Sequence, residues 1–438
     1  MALITKAPRG TKDILPGEAH ELRYIERTAL ETAEAFGYSE IRTPVFEHTE
    51  LFERSVGDAT DVVQKEMYTF FDKGGRSVTL RPEGTAGAAR ACLEHGLLSE
   101  ALPRKVSYVT RCYRYEKPQS GRLREFTQFG AECFGAADPI ADAELISLAN
   151  AVFSALGLTN YRLELNSIGC PECRKSYLEK LRTFFHTKTA ALCPTCQDRL
   201  ERSPMRILDC KSPICSAAAA QAPRVTEHLC PDCTAHFEQV KHLLGAMEIP
   251  FEVNPMIVRG LDYYTRTVFE FVSELPELTG LVLGAGGRYD GLIEELGGQH
   301  TPSLGFGLGL ERVWMQLRAL QAPLPQAFPC ELFLATMTGE ALQKAAAIAA
   351  EIRADGWGVQ YDIIGRSLKA QMKYADKIGA RFTVVLGEEE LTSGRARLKN
   401  MSTGAEEVLS LSEFGEAFER ILLRLAQEEL EEALAGGF

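Results

Sequence analysis

Hydrophobic and polar positions follow both strand and helix periods over the first three quarters of the chain. Residues 106–116 and 126–134 are rich in Val, Tyr, Phe and Thr, which predicts two strands joined by a polar loop. Within residues 142–156, apolar side chains recur at helical spacing and predict an amphipathic helix. Residues 38–45 are predicted to form an edge strand, because Pro44 has no N–H to donate to a neighbouring strand.

Two changes along the chain predict domain boundaries. From about residue 167 to 255, cysteine pairs and charged helical segments interrupt the strand-rich pattern, as is typical of an inserted domain. Three prolines close together near residue 325 indicate a linker, and alternating strands and helices follow it. We therefore expect a first domain over 1–325 with an insertion at about 167–255, a compact α/β domain over 330–425, and a tail over 426–438.

Composition limits the classes of function. The chain has 438 residues, too many for one ordinary core, and its 45% hydrophobic and 25% charged content is that of a globular protein. It has no apolar run of roughly 18 residues and no signal-peptide pattern, so we expect a cytoplasmic protein without a membrane partner. The net charge of −12 argues against indiscriminate nucleic-acid binding, although basic residues gathered on one surface could still bind it.

The first segment with candidate chemistry is the Gly-rich turn at Glu83, Gly84 and Thr85, between a predicted strand and a predicted helix. A carboxylate and a hydroxyl held at such a turn could receive an ammonium group. Both residue types are also common caps at the start of helices, so this segment alone leaves both interpretations open.

A second segment carries Arg114, Glu116 and Arg122, followed by Gln128 and Glu132. In a strand, residues 128 and 132 project on the same face. Arginine suits phosphate, because its planar guanidinium donates two parallel hydrogen bonds. A set of internal salt bridges is the alternative that this segment leaves open.

Two further segments are rich in glycine or tyrosine. One is residues 259–270, which include Arg259, Tyr263 and Tyr264. The other runs from Gly284 through alternating glycines to Arg312. Alternating glycines in a strand let a ligand or another backbone approach closely, and here they lead into a predicted helix.

In this order the segments resemble the three signature motifs of class II aminoacyl-tRNA synthetases, at residues 37–47, 113–132 and 305–312. Residues 259–267 match the first histidine-specific motif of the histidyl-tRNA synthetases, and residues 284–289 are similar to their second. The resemblance extends over nearly the whole chain.

The resemblance implies an α+β fold: a class II catalytic domain with a mostly antiparallel sheet flanked by helices, an inserted helical and cysteine-rich domain, and a C-terminal α/β anticodon-binding domain. It implies ligation of L-histidine to the 3′ end of tRNA(His) through histidyl-adenylate, with ATP and Mg²⁺ as the substrate complex. It also implies a homodimer, because the first class II motif builds a dimer interface.

The resemblance further assigns roles to individual residues. Arg114 would hold the α-phosphate of ATP and the substrate carboxylate, and Arg259 would do at that phosphate the electrostatic work that a metal does in related enzymes. Glu132 and Tyr264 would read the imidazole ring. The ATP-binding residues would be Arg114, Glu116, Arg122 and Arg312, and the histidine-binding residues Glu83, Gly84, Thr85, Gln128, Glu132, Tyr263 and Tyr264.

Eight of the twelve cysteines fall in the expected insertion. Six form C-x-x-C pairs, a spacing that can supply tetrahedral zinc sites. The alternative is reduced thiols packed as small hydrophobic groups. Because the activity of the resembling family does not depend on zinc, a bound metal would be structural. The eight candidate ligands are Cys170, Cys173, Cys193, Cys196, Cys210, Cys215, Cys230 and Cys233.

The C-terminal domain carries basic residues at helical spacing, namely Arg366, Lys369, Lys373, Lys377 and Arg381. A basic stripe of this kind is usually a solvated helix face. The resemblance to an anticodon-binding domain favours tRNA contact at Arg366, Lys369 and Lys373.

Two rival functions remain. One is a catalytically inactive synthetase paralogue that acts as a regulatory subunit in histidine biosynthesis; such paralogues depart from the histidine-specific motif and lack the anticodon-binding domain, whereas this sequence has both. The other is a zinc-stabilised nucleic-acid-binding protein without enzymatic activity, which leaves Arg114, Arg259 and Arg312 unexplained.

Overall fold

The computed structural model describes residues 5–56, 60, 62–210, 212–257, 263–325 and 330–436. The chain divides into two compact units, Met1–Pro325 and Gln326–Phe438. Among the described residues, no helix combines the length and the apolar character that a membrane crossing would require.

The first unit contains eleven strands and ten helices in its described residues. The strands are β1 (Ser39–Glu40), β2 (Phe46–His48), β3 (Tyr68–Phe71), β4 (Ser77–Leu80), β5 (Arg104–Tyr113), β6 (Glu125–Phe134), β7 (Tyr161–Ser167), β8 (Glu252–Val253), β9 (Thr265–Ser273), β10 (Val282–Arg288) and β11 (Ser303–Gly309). The helices are α1 (Pro16–Ala35), α2 (Thr49–Val56), α3 (Thr85–Glu94), α4 (Pro139–Ala155), α5 (Pro171–His186), α6 (Pro194–Arg202), α7 (Pro213–Ala219), α8 (Pro231–Ala246), α9 (Leu292–Glu295) and α10 (Leu310–Ala319).

Eight of these strands form one sheet in the order β1-β5-β6-β11-β10-β9-β7-β8. The five central pairs are antiparallel, and the two outer pairs are parallel. The predicted mostly antiparallel sheet is therefore confirmed. A smaller sheet has the order β2-β4-β3.

The main core lies between this sheet and helices α1, α4, α8 and α10, which pack against one of its faces. Alternation along β6 explains which side chains enter it: Phe129, Ala131 and Cys133 are buried among the helices, whereas the residues between them point to the opposite face. The sheet thus keeps one face apolar and leaves the other for polar side chains.

The two longest predicted strands are confirmed, since β5 and β6 pair in register from Arg104 opposite Phe134 to Tyr113 opposite Glu125. Strand β5 ends at Tyr113, so Arg114 and Glu116 lie beyond the sheet and not within it, as the strand predicted over residues 106–116 implied. The edge strand expected over residues 38–45 is confirmed at Ser39 and Glu40, which pair with β5 at the edge of the sheet, but its predicted length is wrong. Farther along, the carbonyls of Thr43 and Pro44 accept hydrogen bonds from the Arg81 guanidinium instead.

Between β7 and β8 the described residues form helices α5 to α8 and no strand. Their apolar side chains form a second core, which is continuous with buried residues on the face of the sheet opposite α1, α4, α8 and α10. This core includes Tyr177, Leu181, Phe185 and Leu200.

The second unit has a five-stranded sheet in the order β13-β12-β14-β15-β16. Helices α11 and α14 contribute buried side chains to its core. The strands are β12 (Leu332–Thr336), β13 (Val359–Tyr361), β14 (Phe382–Leu386), β15 (Arg395–Asn400) and β16 (Glu406–Ser410). The helices are α11 (Gly339–Ala354), α12 (Leu368–Lys377), α13 (Glu388–Ser393) and α14 (Phe414–Gly436), the last of which continues through most of the expected tail.

Candidate functional site

A cleft of about 1120 Å³ lies in the first unit, lined by the polar face of the sheet and by the segments next to it. A site for one small ligand usually measures roughly 300–1,000 Å³, so this cleft has room for two substrates side by side. Of the residues predicted to bind ATP or histidine, its lining includes Glu83, Thr85, Arg114, Glu116, Arg122, Gln128, Tyr263, Tyr264 and Arg312.

The turn before α3 is held by the buried carboxylate of Glu83. Its two oxygens accept hydrogen bonds from the backbone N–H groups of Thr85, at 2.6 Å, and Ala86, at 2.9 Å. Glu83 therefore caps α3, as the alternative interpretation allowed, and it also reaches the cleft. Burial raises the pKa of Glu83, although these hydrogen bonds act in the opposite direction.

Gln128 joins this turn to the sheet. Its side-chain oxygen accepts a hydrogen bond from the backbone N–H of Gly84 at 2.9 Å. Thr85 in turn donates its hydroxyl to Glu132 at 2.8 Å. Gln128 and Glu132 therefore do share a face of β6, as their spacing predicted.

Glu132 is fully buried, and it lies beneath the cleft without forming part of its lining. Its carboxylate accepts hydrogen bonds from the hydroxyls of Thr85, Tyr108 and Tyr289. Burial raises the pKa of Glu132 to about 8, and the three hydroxyl donors only partly offset that effect. The position is thus a buried acid surrounded by hydroxyl groups.

Glycines in β11 make room for these polar side chains. Across the two strands, Gly305 pairs with Glu132, Gly307 with Gly130 and Gly309 with Gln128. A methyl group at Gly305 would overlap the Glu132 carboxylate, and one at Gly307 would overlap the Gln128 amide. The alternating glycines therefore admit side chains of the neighbouring strand, a reason for them that the sequence did not reveal.

Three tyrosines form the wall next to Glu132. The ring centroids of Tyr263 and Tyr264 lie 4.6 Å apart, and Tyr289 lies 5.3 Å from Tyr263. All three are nearly buried. Tyr108 and Tyr289, which both contact Glu132, were not among the predicted site residues. Tyr289 ends the segment 284–289 that resembles the second histidine-specific motif, a signal that could have found it, whereas nothing in the local sequence marks Tyr108.

Three arginines converge at the other end of the site. Arg114 donates to the carbonyl of Pro82 at 2.8 Å, and Arg312 donates to the carbonyls of Gly121 and Val282 at 2.8 and 2.7 Å. Glu116 lies 3.8 Å from Arg114 and 3.3 Å from Arg122, which is half-exposed.

The environment of Arg312 is unusual for an arginine. Burial, together with the positive charges of Arg122 and Arg114, lowers its pKa to about 10, and the negative charges of Glu116 and Glu270 offset only part of that effect. Guanidinium groups held together in this way create a strongly positive region, which favours a ligand with several negative charges.

Arg259, the predicted catalytic arginine, lies outside the described residues. The second histidine-specific motif contains a buried ion pair that the sequence also did not predict. Fully buried Arg288 contacts Asp142 at 2.5 Å, and Asp142 also lies 3.2 Å from His236. This ion pair connects β10 to α4, so the motif has a structural role there.

The eight cysteines of the expected insertion form two groups of four. The proximal cluster is Cys170, Cys173, Cys230 and Cys233, and the distal cluster is Cys193, Cys196, Cys210 and Cys215. Within each cluster all sulfur atoms lie within 4.8 Å of one another. All eight are free thiols.

The basic residues of the second unit are not equivalent. Arg366 forms an ion pair with Asp362 at 2.6 Å, and Arg381 lies 3.8 Å from Glu331. Lys369 and Lys373 are exposed on α12. The exposed positive charge on α12 therefore comes mainly from its lysines.

Comparisons with known proteins agree over almost the whole chain. Residues 10–313 match the family model of histidyl-tRNA synthetase, and residues 331–421 match that of an anticodon binding domain. A histidine–tRNA ligase of Caldanaerobacter subterraneus subsp. tengcongensis is 51% identical over 415 residues, which cover 95% of this chain and 99% of that protein. One from Acetivibrio thermocellus is 50% identical over 409 residues, covering 93% and 98%. The solved apo structure of S. aureus histidyl-tRNA synthetase superimposes with a TM-score of 0.81 at 38% identity, covering 95% of this chain and all of that one.

Proposed function

Because the chain belongs to the histidyl-tRNA synthetase family, we propose that its cleft carries out the two steps of a histidine–tRNA ligase. ATP and histidine form histidyl-adenylate and pyrophosphate, and the histidyl group then passes to the 3′ end of tRNA(His). The observation that carries the proposal is the convergence of Arg114, Arg122 and Arg312 in the same cleft as the polar pocket above Glu132. A regulatory paralogue is not favoured, since the relatives that match nearly the full chain are ligases.

ATP occupies the arginine end of the cleft in this proposal, with Mg²⁺ on its phosphates. Arg312 holds the phosphate tail, because its charge is buried and poorly neutralised without an anion. Arg122 and Glu116 lie beside it and contact the nucleotide. Arg114 points from the end of β5 toward the turn at Pro82 and holds the α-phosphate.

Adenylate formation requires an oxygen of the histidine carboxylate to attack the α-phosphorus while the bond to pyrophosphate breaks. Negative charge builds up around phosphorus in this step, and fixed guanidinium groups stabilise it without reorganising. Arg114 and Arg259 are assigned that role. Positioning of the two substrates supplies much of the remaining acceleration.

Histidine occupies the other end. Glu83, Gly84 and Thr85 receive its ammonium group, and Gln128 contacts its backbone. Tyr264 and Glu132 recognise the imidazole ring through polar contacts, and Tyr263 lines the pocket. The pocket pairs its own buried polar groups with the ring nitrogens of histidine. An analogue without a ring nitrogen leaves those groups unpaired, so the pocket rejects it strongly. Because a carboxylate has about four acceptor positions, the three hydroxyl donors to Glu132 leave one position for the imidazole ring.

The second unit is proposed to bind the anticodon region of tRNA(His) through Lys369 and Lys373, with Arg366 held by Asp362 at the edge of the contact. We further propose a cytoplasmic homodimer, a domain inserted at about residues 167–255, and structural zinc bound by the cysteines of that domain.

The test is pyrophosphate exchange into ATP, measured with each of the twenty amino acids and without tRNA. Exchange that depends on histidine alone supports the adenylation step and its specificity. Absence of exchange with every amino acid, from a protein whose circular dichroism shows a folded chain, overturns the proposal and favours the regulatory paralogue.

A further inference from the structure

The two cysteine clusters have the donor geometry of two separate metal sites. Four thiolates around zinc at roughly 2.3 Å form a tetrahedron whose sulfur–sulfur edges measure about 3.8 Å. The sulfur atoms of Cys170 and Cys173 are 3.6 Å apart, and those of Cys193 and Cys210 are 3.9 Å apart. These distances exceed a disulfide bond of about 2.05 Å and agree with the edges of a zinc site.

The clusters also repeat the same local design. Cys-Pro-x-Cys segments at the starts of helices supply all four sulfurs of the proximal cluster and two of the four in the distal cluster. In each cluster two of the four cysteines are buried and two are partly exposed. The backbone N–H of Cys230 donates to the sulfur of Cys173 at 3.0 Å, and that of Cys193 donates to the sulfur of Cys215 at 3.1 Å. Such hydrogen bonds stabilise thiolate over thiol, and they orient metal ligands from outside the first coordination sphere.

The distal cluster connects segments within the insertion only. It joins the start of α6 and residue Cys210 to helix α7. Helices α6 and α7 are short, so a metal here would add a local cross-link to the packing of their buried side chains.

The proximal cluster joins the starts of α5 and α8, and it lies directly beside the tyrosine wall. Gly169, next to Cys170, accepts a hydrogen bond from the backbone N–H of Arg266 at 2.8 Å, and the N–H of Ile168 donates to the carbonyl of Arg266 at 2.8 Å. The guanidinium of Arg174 donates to the carbonyl of Tyr264 at 3.0 Å. The segment that carries the first two cysteines thus holds the backbone of the Tyr264 loop, the stretch from Tyr264 to Arg266 that leads into β9.

That loop needs such support. Arg266 has a φ of +50°, in the left-handed region that is unfavourable for any residue with a side chain. Surrounding contacts must therefore fix its conformation. The two backbone hydrogen bonds to residues 168 and 169 are the contacts in the best position to do so.

We propose that the insertion binds two structural zinc ions, one in each cluster, and that the proximal ion also positions Tyr264 for histidine binding. The second part rests on the proposed function, whereas the first does not. Residues 170, 173, 230 and 233 are then metal ligands, and residues 168, 169 and 174 are positioning residues that act through the loop.

Metal content tests the first part without any reference to activity. The full chain is purified without added zinc or chelator, and zinc per chain is measured by mass spectrometry of the metal. We expect two equivalents. Less than one equivalent, or intramolecular disulfides in place of free metal-bound thiols, overturns the proposal for both clusters.

Matched double variants test the second part. Cys170→Ser with Cys230→Ser removes the two partly exposed proximal ligands, and Cys193→Ser with Cys210→Ser removes the two partly exposed distal ones. Each variant is expected to lose one zinc. The proximal variant should raise the KM for histidine by about tenfold or more while leaving the KM for ATP unchanged, since small displacements of a binding group are costly.

The distal variant serves as the control and should keep both KM values. Equal changes in histidine KM for the two variants contradict the positioning role, and so does an unchanged histidine KM in a proximal variant that has lost its zinc. If wild-type protein contains two zinc ions but lacks pyrophosphate exchange, the proposed function fails while the metal sites stand.

Discussion

The carboxylate of Glu132 occupies the space that a side chain at Gly305 would fill on the neighbouring strand. The acid and the glycine are 173 positions apart in the printed numbering, yet each explains the other. Glu132 can lie flat within the sheet only because β11 has no side chain there, and its three hydroxyl partners then close around it.

This relationship predicts the effect of Gly305→Ala. The added methyl group must displace the Glu132 carboxylate, which breaks its hydrogen bonds to Thr85 and Tyr289. We expect a loss of stability of about 1–3 kcal/mol, as for other overpacked cores. The KM for histidine should rise at least about tenfold, since a buried polar group left without its hydrogen-bond partner costs roughly 1–3 kcal/mol.

Thermal melting and histidine-dependent exchange measure these two effects. Gly245→Ala is the matched control, because Gly245 lies within α8 and has no neighbour within 4 Å. It should melt at the same temperature or slightly higher. A Gly305→Ala protein with a normal histidine KM would show that Glu132 does not contribute to histidine recognition.

The raised pKa of Glu132 predicts a pH dependence of stability. Its folded pKa of about 8 lies above the ordinary value of 4.5, so the folded state keeps a proton that the unfolded state has lost. The resulting stabilisation is complete below pH 4.5 and is lost as the pH rises through 8. Glu132→Gln, which stays neutral, lacks this dependence.

The measurement is the melting temperature of the wild type and of Glu132→Gln from pH 5 to pH 8.5. We expect the melting temperature of Glu132→Gln to rise relative to that of the wild type as the pH increases. A constant difference between the two proteins across this range would contradict the raised pKa.

Arg312 provides a prediction for ATP. Arg312→Ala removes a partly buried guanidinium and should raise the KM for ATP by about ten- to a hundredfold, the range of one or two charge-assisted hydrogen bonds. Arg312→Lys keeps the charge but not the planar geometry, so its KM for ATP should lie between those of the wild type and Arg312→Ala. The KM for histidine, measured at saturating ATP, should change little; a larger effect on histidine than on ATP would place Arg312 at the wrong end of the cleft.

The exposed lysines of α12 provide a prediction for tRNA. Lys369→Glu with Lys373→Glu should lower the rate of tRNA charging while sparing pyrophosphate exchange, because α12 lies in the second unit whereas the cleft proposed for adenylation lies in the first. The salt dependence of tRNA binding should also become shallower, since fewer phosphate charges are neutralised.

Replacement of the same two lysines by Gln separates neutralisation from repulsion. We expect it to have a smaller effect than charge reversal. Loss of exchange together with charging in either variant would indicate misfolding, and unchanged charging in both would leave the basic face as a solvated helix surface.

Some parts of the fold and of the site could be predicted from the sequence, and others could not. The strands over 104–113 and 125–134 and the position of Arg312 in the first turn of a helix follow from local patterns, because side-chain alternation and glycine spacing are local properties. The shared face of Gln128 and Glu132 was predictable for the same reason. Arg114 was misplaced on a strand, because where a strand ends depends on its partners.

The sequence by itself predicted the mostly antiparallel sheet and, through the order of its motifs, the family. It also predicted that the site would contain cationic and polar side chains. Only the tertiary structure decided which residues meet. It brought Tyr108 and Tyr289 to Glu132, Asp142 to Arg288, and eight cysteines into two groups of four. These contacts join residues far apart in the chain, so no local pattern encodes them, and they arise only when strands and helices pack into one core.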